Sequence, residues 1–228
     1  MGGYYIGIHL KTASAAQVKD AVTETFEDAG FRFLSDEPAA AVVDDEDMLP
    51  DGDHWYGVIV SGATGRGWVS VYLDDWADSG VLAKSVSSAL SVPALEVWVA
   101  GDVHWGYTYY ESGTVQDRFA DAPNEVAETP AEAALYAGSA DALSSILQVP
   151  ASRFTQTLAD ARAKAGQFSG GPLDAVAEAV GLPFEHLFTG YDYFFSDDPE
   201  DYSGDLENWP AFRHLTFGMP KNRETLAE

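Results

Sequence analysis

A chain of 228 residues with 46% apolar side chains can bury one large core or two small ones, and with no cysteine it has no disulfide, thiolate nucleophile or cysteine-ligated zinc. The formal charge of −25, from 37 carboxylates against 12 Lys and Arg, argues against nucleic acid and anionic membrane as partners, because neutralising phosphates takes clustered cations. A surface of this sign suits a basic partner, or a solvated coat adapted to salt.

The N-terminal MGGYYIGIHLKT has no basic region leading into a long apolar run, and no stretch approaches a membrane span. The expectation is a cytoplasmic protein. Residues 4–10 (YYIGIHL) read as a strand. Ser14 and Gln17 form a capping box, and Val18, Ala21, Val22, Phe26 and Ala29 follow at helical spacing. Gly30 ends this helix, and FRFL (31–34) is a return strand. Residues 35–53 hold carboxylates, two prolines and no cation, and read as an exposed loop. Asp44, Asp45, Glu46 and Asp47 lack the spacing of a calcium loop, so a solvated loop is preferred there over a cation site.

HWYGVIV (54–60) and WVSVYLDD (68–75) are strands joined through GATGRG (62–67). That turn is glycine-rich and follows a strand. It lacks the Lys-Ser/Thr pair and the helix start of a phosphate loop, so it reads as a hairpin. Asp78 or Ser79 is expected to cap a helix over 80–90, closed by Pro93. ALEVWVA (94–100), HWGYTYY (104–110) and TVQDRF (114–119) form a meander. Alternation along 104–110 puts His104, Gly106, Thr108 and Tyr110 on one face and Trp105, Tyr107 and Tyr109 on the other.

From residue 121 the chain turns helical. Thr129 and Glu132 make a second capping box, with Pro130 at the first helical position. Segments 141–154 and 174–187 repeat at an offset of 33, each reading as helix, proline turn, helix. Without a basic face they read as packing units rather than DNA readers. Residues 190–208 mix Tyr191, Tyr193, Phe194 and Phe195 with wet carboxylates that include Asp197, Asp198, Glu200 and Asp201. FRHLTF (212–217) adds a final strand.

The expected fold class is α+β: an antiparallel sheet with helices on one face over 1–121, then a mainly helical part over 128–218 packed on it. The order of elements, with His-Trp at 54 and again at 104, allows a duplicated β-α-β-β layout. GWVSVYLDD, LSSALSVPALEVWVAGDVHWGYTYYESGTVQDRF and AEAVGLPFEHLFTGYDYF together resemble a group of uncharacterised bacterial proteins. These share a Trp-containing strand, a helix and a strand pair before a helical C-terminal half. The resemblance spans residues 55–195 and implies no assigned activity and no catalytic residue. At the level of fold, the paired β-α-β-β units are similar to the duplicated modules of small-molecule-binding regulatory domains of the gyrase-inhibitor-like kind.

Three functions are weighed. The first is a non-catalytic acidic module, of immunity or regulatory type, that meets a basic protein partner through Asp44, Asp45, Glu46, Asp47, Asp197, Asp198, Glu200 and Asp201. The second is a small-molecule-binding regulatory domain with an aromatic cleft. Its lining would come from His54, Trp55, Trp68, Trp98, His104, Trp105 and Tyr107, with Asp74 or Glu96 as polar contact. The third is a hydrolase built on His54, His104 and carboxylates, but HExxH, HxH and GxSxG are all absent. No catalytic residue, metal site or cofactor is expected, and the oligomeric state is not legible.

Overall fold

The computed structural model describes residues 4–12, 14–39, 55–74, 78–101, 103–187, 189–191, 194, 211–219 and 226. The first β-α-β is β1 (Tyr4–Leu10), α1 (Ala15–Asp28) and β2 (Arg32–Pro38). Ser14 Oγ accepts the Gln17 N–H at 3.3 Å, so the expected cap forms. Gly30 reverses the chain at φ +89°, a conformation that favours a residue without Cβ. β2 runs on to Pro38, into the stretch expected as loop, because it finds a partner strand from the far end of the chain.

β3 (Trp55–Val60) and β4 (Val69–Leu73) form the expected hairpin, followed by α2 (Ser79–Leu90). β5 (Pro93–Ala100), β6 (His104–Glu111) and β7 (Thr114–Ala120) are the meander. Two short helices, α3 (Pro123–Val126) and α4 (Pro130–Ala133), lead to α5 (Ala151–Ala163), α6 (Gly170–Val180) and α7 (Phe184–Leu187), and β8 (Arg213–Gly218) closes the order. In the first repeat unit residues 141–146 are consecutive turns rather than a helix, while α6 and α7 supply the helix pair of the second.

All eight strands join one antiparallel sheet in the order β2-β8-β3-β4-β1-β5-β6-β7. β8 is inserted between β2 and β3, so the sheet draws on the chain beyond the helical part. β4 and β5 flank β1 and both run against it, which makes β4-α2-β5 a split crossover. The two β-α-β-β units are wired differently. The strand after α2 pairs with β1, whereas the strand after α1 goes to the far edge and β3 takes the place beside β4.

Alternate strand residues feed separate cores. Ile8, Val58, Val71, Ala94 and Tyr110 pack with Val18, Val22 and Phe26 of α1 and Leu82 and Val86 of α2. Leu95, Val97, Trp105, Tyr107 and Tyr109 pack with Phe154 and Leu158 of α5 and Leu173 and Val176 of α6. Neighbours such as Ala94 and Leu95 fall into different cores because successive side chains point to opposite faces. Among the described residues no helix is long and apolar enough to cross a membrane.

Candidate functional site

β4 stops pairing with β1 at the Gly7–Tyr72 register, whereas β1 begins three residues earlier. Among the described strands, Tyr4, Tyr5 and Ile6 pair with β5, opposite Ala100, Val99 and Trp98. A cavity of about 630 Å³ opens beside this stretch, next to the first turn of α2. Its size lies in the range of about 300–1,000 Å³ usual for small-molecule sites. Ile6, Glu96, Trp98 and Thr108 come from the strands, Ser79 and Gly80 from α2, and Tyr191 from the segment after α7.

The polar centre is Glu96, only 8% exposed. Its Oε1 accepts from Ser79 Oγ at 2.6 Å, and its Oε2 accepts from the Tyr110 hydroxyl at 3.0 Å. Burial, then the neighbouring Glu96 charge, holds the Tyr110 phenol far above its ordinary range, so it stays a neutral donor. Gly80 lies beside both groups: a Cβ built there would make ordinary contacts with the Tyr110 hydroxyl at 3.5 Å and the Glu96 oxygens at 3.7 and 3.8 Å. Among the described residues the ion pairs engage Asp36, Asp121, Glu125 and Glu178, and none engages Glu96. The wall beside it is the indole of Trp98. That ring lies over Gly106, its partner on β6, in the space a Cβ would need.

The capping expectation at α2 is replaced by other bonds. Asp78 occupies the cap position, yet its side chain makes no capping bond and its Oδ1 receives the Leu226 N–H at 2.7 Å. Ser79, the other candidate cap, donates to Glu96 instead.

The residues expected to line one aromatic cleft are dispersed. Trp98, Asp74 and Glu96 do line the cavity. Trp68 is wholly buried, with its indole N–H 3.3 Å from the Val180 carbonyl and the Lys11 ammonium 4.7 Å from the ring centre. Trp105 and Tyr107 are core residues packed with α5 and α6, which cover their face of β6. The Tyr107 hydroxyl donates to Asp117 at 2.9 Å. Trp55 packs against the Tyr72, Tyr191 and Phe212 cluster. His104 is half-buried, with Nδ1 3.4 Å from Asp121 and Nε2 3.5 Å from Glu125.

His54 lies outside the described residues, as do Asp44, Asp45, Glu46, Asp47, Asp197, Asp198, Glu200 and Asp201. Three strands separate β3 from β6 in the sheet. At about 4.8 Å per strand that puts Trp55 and Trp105 about 19 Å apart across the sheet, so the two tryptophans do not face one another. Sequence reasoning missed Tyr4, Ser79, Gly80, Tyr110 and Tyr191 as companions of Trp98. The alternation on 104–110 did place Tyr110 on the face of Gly106, but the register against β5 that seats Trp98 over Gly106 is a tertiary fact.

Among the described residues no group of three or more His, Asp or Glu side chains is arranged to hold a metal ion. No protein-family model matches the chain, and neither a curated protein nor a solved structure matches it significantly.

Proposed function

We propose that the chain binds a small organic cation, a protonated amine or an ammonium on an apolar body, with Glu96 as the counter-ion and Trp98 and Tyr4 as the walls. One observation carries this reading: a carboxylate at a cavity wall whose two bonds come from neutral hydroxyls, Ser79 and Tyr110. Two neutral donors orient Glu96 and leave its charge for a ligand. An indole beside it favours a cation over a neutral isostere. Tyr4, 79% exposed at the cavity mouth, is an apolar surface that a bound ligand would cover.

Tryptamine and its neutral analogue tryptophol differ in charge but little in shape, and calorimetry on both tests the reading. Tryptamine is expected to bind at least tenfold tighter, and E96Q is expected to abolish the difference. Equal affinities, or an unchanged preference in E96Q, reject it.

A second reading rests on the charge of −25. In this reading the carboxylates, Asp44, Asp45, Glu46, Asp47, Asp197, Asp198, Glu200 and Asp201 among them, steer a basic protein, as in an immunity or regulatory module, and the association weakens steeply with salt. A pull-down that retains no basic protein at low ionic strength removes it.

A further inference from the structure

Three histidines are buried where α7 and the residues after it meet the sheet. His9 on β1 and His186 on α7 are wholly buried, and His214 on β8 is 1% exposed. Ser70 Oγ on β4 stands between the first two, 2.9 Å from His9 Nδ1 and 3.0 Å from His186 Nδ1. The Tyr72 hydroxyl also meets His186 Nδ1, at 3.0 Å. Two strands away, His214 Nε2 lies 2.7 Å from the Tyr191 hydroxyl. The ring of Tyr191 fills the space above Gly57, where a Cβ would overlap it. Gly190 and Tyr191 are part of the cavity wall, so imidazoles fasten one side of the cavity to the sheet.

We propose that this histidine layer is an acid-sensitive latch: α7 and residues 189–191 stay docked while the rings are neutral, and lift from the sheet when acid protonates them. The chemistry of Ser70 makes the pair intolerant of two protons. Its single hydrogen serves one imidazole nitrogen while its oxygen accepts from the other. Protonating both rings takes from the Ser70 hydrogen the imidazole nitrogen it served and sets two cations against one shared hydroxyl in a dry site.

His9 faces Ser70 and Leu95 across β4 and β5, has Gly7 beneath its ring and the Tyr72 ring edge-on at 6.5 Å, and has Lys11 two residues on, just past the end of β1. Lys11 and the nearby Arg66 are both cationic. His9 Nε2 is buried with no hydrogen-bond partner there. His186 faces Ser70, Tyr72 and the ring of Phe212, next to the exposed Glu185. His214 faces Tyr191 and Thr216, with Ile59 opposite on β3 and Glu37 opposite on β2.

Burial, then the charge of His186, lowers the His9 value well below the usual imidazole range, and burial lowers that of His214 to about 4. Both docked-state values lie below the ordinary value of about 6.5. The docking free energy is therefore complete above about pH 6.5 and is lost as pH falls toward the docked-state values.

Hydrogen exchange followed by mass spectrometry on the full chain, corrected for intrinsic rates, tests it without any ligand. Between pH 6 and 4.5 the peptides covering 184–191 are expected to lose protection at least tenfold while β5 and β6 keep theirs. The H9N/H214Q variant, which keeps polar groups but cannot titrate at those positions, is expected to hold protection to lower pH. Y191F keeps every histidine but breaks one fastening, and is expected to release at higher pH. Protection of 184–191 that persists at pH 4.5, its loss together with β5 and β6, or a titrating variant indistinguishable from one that does not, overturns the latch.

Discussion

Tyr110→Phe removes one hydroxyl from the wall behind the cavity, and its cost can be worked from the bonds it makes. Tyr110 is 5% exposed and donates at 3.0 Å to Glu96, which is itself 8% exposed. The deletion leaves the carboxylate with Ser79 as its remaining donor among these two. A hydrogen bond to a charged group contributes about 1.5–3 kcal/mol, and the apolar ring of the variant still fills its place in the core, so about 2 kcal/mol is the expected loss. In a chain of this length that is a fall in melting temperature of about 4–8 °C. Urea unfolding of wild type, Y110F, E96Q and the double variant closes a cycle. The coupling between the two sites is expected to be at least about 1 kcal/mol, because E96Q weakens the bond that Y110F deletes. A Y110F cost under about 0.5 kcal/mol, or a coupling near zero, would refute the claim that these hydroxyls hold Glu96.

Gly106→Ala sets a methyl group against the indole of Trp98 and the Phe119 carbonyl, so a loss of about 1–3 kcal/mol is expected in chemical denaturation, with weakened tryptamine binding by calorimetry. Asp36 receives Lys19 Nζ and Arg213 Nε, each at 2.6 Å. Partial burial pushes its carboxyl up, but the two cations outweigh it and hold the value below the usual carboxylate range. Asp36→Asn should cost about 1 kcal/mol at neutral pH, since the pairs are partly exposed. That stability is present above the unfolded value of about 3.9 and lost as pH falls through the depressed one, so wild type and D36N should converge in strong acid, as read by urea midpoints at pH 7 and pH 2.5. Deleting residues 226–228 removes the buried Leu226 and its N–H bond to Asp78, for an expected loss of about 2–4 kcal/mol in thermal or urea unfolding.

The parts of the fold legible beforehand are those set by neighbours in the chain. Ser14 caps α1 by accepting the Gln17 N–H, Gly30 turns out of the helix, and Ser112 and Gly113 both take positive φ between β6 and β7. Each of these depends on groups a few residues apart, so local chemistry decides them. Alternation likewise sorted 104–110 into two faces. It could not say what covers each face, and so Trp105 and Tyr107 were candidates for a cleft although α5 and α6 pack against them.

Three facts belong to the tertiary structure alone. β8 enters between β2 and β3, the pairing of β4 with β1 stops at Gly7, and Glu96 meets Tyr110 and Ser79. Strand order and strand ends are settled by which apolar faces find each other across long separations, and no short window of residues carries that information. The twin His-Trp motif shows the difference. The sequence repeats it, but intervening β4, β1 and β5 hold Trp55 and Trp105 apart, and the cavity forms instead beside Tyr4, Tyr5 and Ile6, past the end of the β1–β4 pairing.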